Sequence, residues 1–331
     1  MKNIVVVGAT GAVGVEMIRC LKDLDVPVGR LRLTASERSV GKRVVTPFGE
    51  TAVELLSEAL LKECDIALFS AGSDVSREWR ERVVASGCIM IDNSSAFRYE
   101  KDVPLVIPEI NPIAALSHQG VIANPNCTTA IVAVAVYPLY REFGLRKMIV
   151  STYQATSGAG AKGMQELLSQ TQTVMSEKEV VPEVFSHRIA FNLIPQIDAF
   201  QENGYTKEEM KVVWETRKIF GDESLNISCT AVRIPTLRAH SESIVIETEK
   251  PVTAAQARLV LEKAPGVKVV DNVHDRKYPM PLTATGQFDV EVGRIRQSLI
   301  FCDHGIEFFV CGDQLLKGAA LNAVQIAKLL M

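Results

Sequence analysis

The stretch IANPNCTTAI, residues 122–131, contains a side chain that can act as a nucleophile. Cys127 follows Asn124-Pro125-Asn126, which ends a predicted strand, and it precedes an apolar run that is typical of a helix. At the N-terminus of a helix the dipole and the unpaired N–H groups favour thiolate over thiol. A thiolate attacks carbonyl carbon atoms and forms thioesters. We therefore interpret Cys127 as a candidate nucleophile; the alternative is the commoner role of a small buried side chain.

A cysteine nucleophile needs an acid or base, and the chain has five histidines. His240 lies in RIPTLRAHSES, among small and hydroxyl residues in a segment with two arginines. The other four have polar surroundings without such a cluster: His118, His187, His274 and His304. We expect His240 to be the general base, with a structural histidine at a strand end as the alternative.

A glycine-rich turn, GATGAVG at 8–14, follows the β-branched run NIVVV and precedes a helical pattern. Glycine lets the backbone approach a pyrophosphate, and the following helix presents free N–H groups to it. Its first spacing is one residue longer than in the usual dinucleotide fingerprint, and an ordinary tight turn is the alternative. The residues expected to contact the cofactor here are Gly8, Thr10, Gly11, Ala12 and Val13.

The choice of dinucleotide depends on the end of the second strand, where the chain reads TASERSVGK. Ser36, Arg38 and Ser39 offer donors for a 2′-phosphate, which favours NADP. Glu37 beside them would instead suit the free ribose hydroxyl of NAD.

Short apolar strands alternate with helical patterns over the first 125 or so residues, which predicts a doubly wound parallel sheet of the Rossmann type. The predicted strands are 3–7, 31–36, 65–72 and 88–95, and the predicted helices between them include 53–61 and 76–87. Beyond the helix that follows Cys127, longer strands predict an α+β domain with a mostly antiparallel sheet.

These patterns predict an NADP-binding domain at 1–127 and a catalytic and dimerisation domain at 128–312. A C-terminal helix over 313–331, with Asp313 as its cap, is expected to pack back on the first domain. The polar stretch 176–192 is interpreted as a surface insertion.

Composition excludes several classes of function. The chain has 331 residues, 47% hydrophobic and 23% charged, and a net charge of −3 that would not attract nucleic acid or an anionic membrane. Its seven cysteines are odd in number and lack CxxC spacing, so we expect neither a disulfide framework nor a metal site. We expect a cytoplasmic protein, because the N-terminus has no signal-peptide pattern.

Five motifs together resemble the aspartate-semialdehyde dehydrogenase family over essentially the whole chain: GATGAVG, NSSAFR at 93–98, NPNCTT, RIPTLRAHSES and GDQLLKGAA. The resemblance implies a fold similar to that of glyceraldehyde-3-phosphate dehydrogenase and at least a homodimer. It also implies reduction of L-aspartyl-4-phosphate by NADPH to L-aspartate-4-semialdehyde and phosphate, through a cysteine thioester, on the route to lysine, threonine and methionine.

The resemblance implies a role for each matching residue. Cys127 would be the acyl acceptor, His240 the acid/base, and Gln154 the residue that orients the acyl intermediate. The residues implied for the substrate are Arg98 and Lys211 for phosphate, Arg233 for carboxylate, Glu208 for ammonium, and Asn126 beside the cysteine. Those implied near the nicotinamide are Ala71, Gly72, Ser157, Gly158 and Gln314, the last of which is Asn in several relatives. Without the family pattern, each of the charged residues would be interpreted as a solvated or structural side chain.

Two other functions remain open at this stage. N-acetyl-gamma-glutamyl-phosphate reductase uses the same chemistry on an acetylated substrate, whose amide would need no Glu208. A non-catalytic NADP-binding redox sensor would use Cys127 as an oxidisable switch, but it would not need the charged set that suits a small phosphorylated amino acid.

Overall fold

The computed structural model describes all 331 residues, which form two compact units. The first comprises Met1–Asn126 and Gly318–Met331, and the second comprises Cys127–Lys317. The structure divides the units after residues 126 and 317. The boundaries expected from sequence, after residues 127 and 312, differ from these by one and five residues. None of the helices is long and apolar enough to cross a membrane.

The strands, in chain order, are β1 Lys2–Val7, β2 Val28–Thr34, β3 Arg43–Thr46, β4 Gly49–Glu54, β5 Ile66–Phe69, β6 Ile89–Asp92, β7 Val121–Ala123, β8 Lys147–Gln154, β9 Asn226–Arg233, β10 His240–Glu247, β11 Val267–Val269, β12 Val290–Ser298 and β13 Cys302–Gly312. The helices are α1 Ala12–Asp23, α2 Glu58–Leu61, α3 Ser73–Ala85, α4 Cys127–Phe143, α5 Gly160–Met175, α6 Lys207–Phe220, α7 Ala254–Leu261, α8 Pro281–Ala284 and α9 Leu321–Leu329.

The first unit is built on a seven-stranded sheet in the order β3-β4-β2-β1-β5-β6-β7. Every neighbouring pair is parallel except β3–β4. The central strands β1 and β5 are almost continuously buried, as expected for a sheet covered on both faces. The doubly wound parallel sheet predicted from sequence is confirmed.

The helix predicted over 53–61 is largely wrong. Val53 and Glu54 end β4, where Val53 pairs with Leu33 of β2, and only Glu58–Leu61 is helical. Ser57 caps this short helix by accepting the N–H of Leu60 at 3.3 Å. Pairing with a neighbouring strand therefore outweighs the helical spacing of the leucines.

The second unit contains a six-stranded sheet in the order β11-β12-β13-β10-β8-β9. Three of its five pairings are antiparallel, while β11–β12 and β8–β9 are parallel, so the sheet is mixed and mostly antiparallel. The apolar helix α4 is buried along most of its length and contacts β12 and β13. This arrangement holds the N-terminus of α4 in a fixed position.

The C-terminal helix begins later than predicted. A π-helical turn spans Leu316–Ala320 and α9 follows it, so Asp313 is not the cap of α9. The Asp313 carboxylate instead accepts the N–H groups of Leu315 and Gly286 and pairs with Arg238 at 2.7 Å. Helix α9 packs on α1 within the first unit.

The stretch 176–192 lies between α5 and α6 and forms neither helix nor strand. It is not simply a surface insertion, because Ile189 and Ala190 are fully buried against Leu167 of α5. Apolar residues within the polar stretch therefore anchor it to the second unit.

Candidate active site

Cys127 is the first residue of α4, directly after Asn126, which is buried. Its thiol is partly exposed, whereas Cys20, Cys64, Cys88, Cys229 and Cys311 are buried. The sulfur therefore lies beside the partial positive charge of the helix N-terminus, which is expected to favour the thiolate.

His240 is completely buried at the start of β10, with Nε2 3.5 Å from Sγ of Cys127. The backbone N–H of Ala155 donates to Nδ1 at 3.1 Å, so the hydrogen-bond pattern assigns the proton of the neutral ring to Nε2. Burial, and then the charge of Arg233, lower the pKa of His240 to about 3. The ring is therefore neutral at pH 7 and donates from Nε2 towards the sulfur.

A buried chain of polar side chains links β8 to α6. Thr152 donates to Oε1 of Gln154 at 3.0 Å, and Nε2 of Gln154 donates to Oε1 of Glu208 at 3.1 Å. Nζ of Lys211 lies 2.9 Å from both Oε2 of Glu208 and Oδ2 of Asp198. Burial alone would lower the pKa of Lys211, but the two carboxylates raise it. Glu208 and Lys211 thus form an ion pair one turn apart on α6, with side chains only 7% and 13% exposed.

Arg233 ends β9 and is buried, and burial lowers its pKa. Its Nη1 donates to the carbonyl of Ala155 at 2.6 Å. Gly158 leaves room for this group, because a Cβ there would lie 2.7 Å from Nη1 of Arg233 and 3.5 Å from the ring of His240. The structure thus brings Arg233, Gly158, His240 and Cys127 into one region of the second unit.

Gln314 is buried and supports the loop that carries Ser157. Its Oε1 accepts the N–H of Ala239 at 2.7 Å, and its Nε2 donates to Oγ of Ser157. Ala239 has a φ of +68°, a left-handed conformation that residues other than glycine seldom adopt. Gln314 therefore holds the strained residue that precedes His240 as well as the hydroxyl expected near the nicotinamide.

In the first unit, the glycine turn lies between β1 and α1. Gly8 has a φ of +87°, and a Cβ there would lie 2.5 Å from the carbonyl oxygen of Ser70. A Cβ at Gly14 would lie 2.3 Å from the carbonyl oxygen of Gly8, so this glycine is needed for close helix–strand packing. Thr10 and Gly11, at the tip of the turn, are exposed.

A cavity of about 600 Å³ opens at the carboxyl ends of β1, β2 and β4 in the first unit's sheet. Of the residues predicted to bind the cofactor, it is lined by Gly8, Ser36, Arg38 and Ala71. Those outside its lining are Thr10, Gly11, Ala12, Val13, Ser39, Gly72, Ser157, Gly158 and Gln314. Gly72 is the N-cap of α3, with a φ of +93°. The size of the cavity and its place beside the glycine turn fit a nucleotide.

The lining residues that sequence reasoning missed include the large apolar side chains of Leu55, Leu56 and Trp79. The two leucines were assigned to a helix, but they follow β4 in a loop. Trp79 lies on α3 and was interpreted only as part of a helical pattern. The signal in the sequence that indicates Trp79 as a cavity residue is an aromatic side chain on the helix that follows β5.

Arg98 is buried and so is not a solvated charge. Its Nε donates to the carbonyl of Asn124 at 2.8 Å, and its Nη2 donates to that of Asn93 at 3.0 Å. These carbonyls follow β7 and β6, so Arg98 lies at the carboxyl edge of the parallel sheet. This is the edge at which open α/β sheets bind their ligands.

Comparison with known proteins gives a consistent result. Residues 3–118 match the family model described as "Semialdehyde dehydrogenase, NAD binding domain", and residues 136–317 match "Semialdehyde dehydrogenase, dimerisation domain". The chain is 48% identical to an aspartate-semialdehyde dehydrogenase of Aquifex aeolicus, over 99% of this chain and 98% of that one. It belongs to the aspartate-semialdehyde dehydrogenase family.

Other relatives of this family agree. An aspartate-semialdehyde dehydrogenase of a Synechocystis strain is 46% identical, over 99% of this chain and 97% of that protein. The structure of aspartate semialdehyde dehydrogenase II from Vibrio cholerae, complexed with ASA, matches with a TM-score of 0.96 and 42% identity, covering 100% of this chain and 98% of that chain. A member of the aspartate-semialdehyde dehydrogenase family is an oxidoreductase that acts on a small molecule with a nicotinamide cofactor.

Proposed function

We propose that the chain catalyses the reversible reductive dephosphorylation of L-aspartyl-4-phosphate to L-aspartate-4-semialdehyde with NADPH. The observation that carries the proposal is the approach of Sγ of Cys127 to Nε2 of His240, at 3.5 Å, at the N-terminus of α4. A sulfur and an imidazole in this arrangement suit acyl transfer through a thioester.

In the first step, the thiolate of Cys127 attacks the acyl-phosphate carbon. The S–C bond forms and the bond between the acyl carbon and the bridging phosphate oxygen breaks. Inorganic phosphate departs, and the acyl group remains on the sulfur as a thioester. Bound NADPH would supply a hydride to the thioester carbon and would itself become NADP⁺. The oxyanion of the resulting thiohemiacetal accepts a hydrogen bond from Nε2–H of the neutral His240 ring, and cleavage of the C–S bond then releases the aldehyde and the thiolate.

The charges of the substrate suggest the binding roles. We assign the carboxylate to Arg233, whose planar fork can donate two parallel bonds, and the ammonium group to Glu208. Arg98 and Lys211 are assigned to the phosphate, Asn126 to the substrate beside the sulfur, and Gln154 to orientation of the acyl group. These roles are transferred from the family pattern and supported by the burial of Arg98, Glu208 and Arg233 and by the low exposure of the Lys211 side chain.

For the cofactor we propose NADP. Gly8, Ser36 and Arg38 line one cavity, where Ser36 and Arg38 can bind a 2′-phosphate. Gly11, Thr10, Ala12, Val13, Ser39, Ala71 and Gly72, with Ser157, Gly158 and Gln314, are assigned to the rest of the dinucleotide. Glu37 lines the same cavity, which keeps NAD as the competing choice.

We also propose a homodimer formed through the second unit. One matching family model is described as a dimerisation domain, and the second unit's sheet has an exposed apolar face. The cytoplasmic location expected from the sequence stays a prediction.

The function is tested in the reverse direction with L-aspartate-4-semialdehyde and phosphate as substrates. Formation of NADPH from NADP and of NADH from NAD is followed in parallel. We expect turnover with both substrates present and higher kcat/KM with NADP. Equal or higher efficiency with NAD would overturn the cofactor assignment. N-acetylglutamate semialdehyde serves as the competing substrate, and preference for it would move the chain to the acetylated class.

Cys127→Ser tests the nucleophile in the same assay. Because a serine hydroxyl is not ionised at neutral pH, turnover should fall by about 10³-fold or more. Affinity for NADP, measured by fluorescence titration, should stay within about twofold. Near-normal turnover in this variant would exclude the thioester route.

A further inference from the structure

The 183–190 segment lies in the irregular stretch between α5 and α6. Its position is determined by one face of α5, which carries Gly163, Glu166, Leu167 and Gln170 as its buried residues. Two of these four are large and polar, yet Glu166 is only 7% exposed and Gln170 only 3%. Buried polar side chains are retained where they satisfy specific hydrogen-bond partners.

The partners of these two side chains are the backbone N–H groups at the two ends of the segment. The carboxylate of Glu166 accepts the N–H of Glu183 at 3.1 Å and that of Val184. Oε1 of Gln170 accepts the N–H groups of residues 189 and 190 at 2.8 and 3.2 Å. Nε2 of Gln170 donates to Glu166 at 2.7 Å and joins the two anchors.

Between the two anchored ends lies Phe185. Its ring centroid is 5.8 Å from the guanidinium carbon of Arg233, within the range of a cation–π contact. A Cβ at Gly163 would lie 2.5 Å from the carbonyl oxygen of Thr156 and 3.1 Å from Cζ of Phe185, so glycine at this position of α5 allows both groups to pack against the helix. Phe185 and Ser186 line a cavity of about 350 Å³ that also contains Arg233 and Asp198.

We propose that Glu166 and Gln170 are positioning residues for substrate recognition. By fixing both ends of the 183–190 segment, they hold Phe185 against Arg233, which orients the guanidinium and excludes water from one side of it. A carboxylate bound in such a dry, fixed site gains more from its two hydrogen bonds than it would at an open arginine. The pair thereby sets affinity for a small amino-acid substrate with a free carboxylate; this inference rests on the proposed role of Arg233.

The test separates the KM values of the two substrates. In Gln170→Ala the segment loses the single acceptor of two of its N–H groups, so Phe185 should no longer hold Arg233 in place. We expect the KM for L-aspartate-4-semialdehyde to rise between about 5-fold and about 100-fold, with kcat within about threefold. The KM for phosphate should not change. Phe185→Ala should give the same pattern without altering the anchors, which covers the case in which Gln170→Ala does not fold.

Gln165→Ala is the matched control, because it removes the same type of side chain from an exposed position of the same helix. It should behave as the unmodified enzyme. Hydrogen exchange should show faster exchange of the amides of 183–190 in Gln170→Ala, and not in the control. In an Arg233→Ala background, Gln170→Ala should add little further change in KM, because the group that it positions is gone.

Two results distinguish the failures. An unmodified enzyme with no turnover of aspartate semialdehyde would reject the proposed function, and this inference with it. An active enzyme in which Gln170→Ala and Phe185→Ala leave the semialdehyde KM unchanged, or raise both KM values alike, would reject the positioning role alone.

Discussion

At the scale of single residues, the protonation state of His240 follows from its surroundings. The ring is fully buried, Nδ1 accepts the N–H of Ala155, and Arg233 adds a positive charge nearby. All three features disfavour the imidazolium ion. A neutral His240 therefore supports the thiolate of Cys127 by donation from Nε2, without forming an ion pair with it.

This protonation state predicts a pH dependence of stability. The pKa of His240 is about 3 in the folded chain and about 6.5 when unfolded, so only the unfolded chain binds the proton between these values. Stability should thus be lost as pH falls from 6.5 towards 3. From pH 7 to pH 5 this residue should contribute a loss of about 2 kcal/mol in the free energy of unfolding.

Urea unfolding of His240→Asn at pH 7 and pH 5 measures this contribution. The variant should lose less stability over that interval than the unmodified protein. His274→Asn, at an exposed position, is the control and should keep the original difference. An unchanged pH difference in His240→Asn would show that the ring binds protons equally in the folded and unfolded chains, which would contradict the lowered pKa.

Sequence could predict the residue types of the site but not their pairing. The alternation of Ile244 and Ile246 in β10, extended backwards, places His240 on the buried face of the strand. Nothing in the linear sequence indicates that Asp198 would share Lys211 with Glu208, or that Gln314 would hold Ser157. These contacts join positions far apart in the chain, and only the packed structure brings them together.

At the scale of elements, the N-terminus of α6 determines where Glu208 lies. Thr206 and Glu209 form a capping box: the threonine hydroxyl accepts the N–H of Glu209 at 3.3 Å, and the glutamate accepts that of Thr206 at 2.6 Å. Glu209 also accepts the N–H of Ala231 in β9 at 2.9 Å. The cap therefore joins the helix that carries Glu208 to the strand that ends in Arg233.

We predict that Thr206→Ala lowers the free energy of unfolding by about 1 kcal/mol, because the buried N–H of Glu209 loses its acceptor. A modest rise in the KM for aspartate semialdehyde should accompany it, since the first turn of α6 carries Glu208. Thr206→Ser keeps the hydroxyl and should restore both values. Equal destabilisation by serine and alanine would assign the effect to the threonine methyl group instead of the cap. Chemical denaturation and steady-state kinetics give both measurements.

Two of the regions where the prediction from sequence was wrong have a common physical cause. The leucines of 53–61 have helical spacing, but pairing with β2 takes the first residues into a strand. The stretch 176–192 has a polar composition typical of a surface loop, but α5 anchors it through buried side chains. In both cases tertiary contacts decide the outcome, whereas β1, α1 and α4 follow their local pattern because local and tertiary preferences agree.

At the scale of the whole molecule, one face of the second unit's sheet carries exposed side chains. Along β8, the residues alternate between buried and exposed, with Ile149 and Tyr153 pointing outwards. Val245 lies opposite Ile149, and the ring of Phe309 lies 6.2 Å from that of Tyr153. Exposed apolar side chains grouped on one face of a sheet are typical of a protein–protein interface.

We therefore predict that a charge on this face prevents the proposed homodimer. Phe309→Asp would place a carboxylate beside Tyr153 and its counterpart in a second copy, and burying that charge would cost far more than the contact contributes. Sedimentation equilibrium should change from dimer to monomer mass at micromolar concentration. Val45→Asp, at an exposed apolar position of the first unit, should stay dimeric. If Phe309→Asp keeps the dimer mass and Val45→Asp loses it, then the interface lies on the first unit and the apolar sheet face has another role.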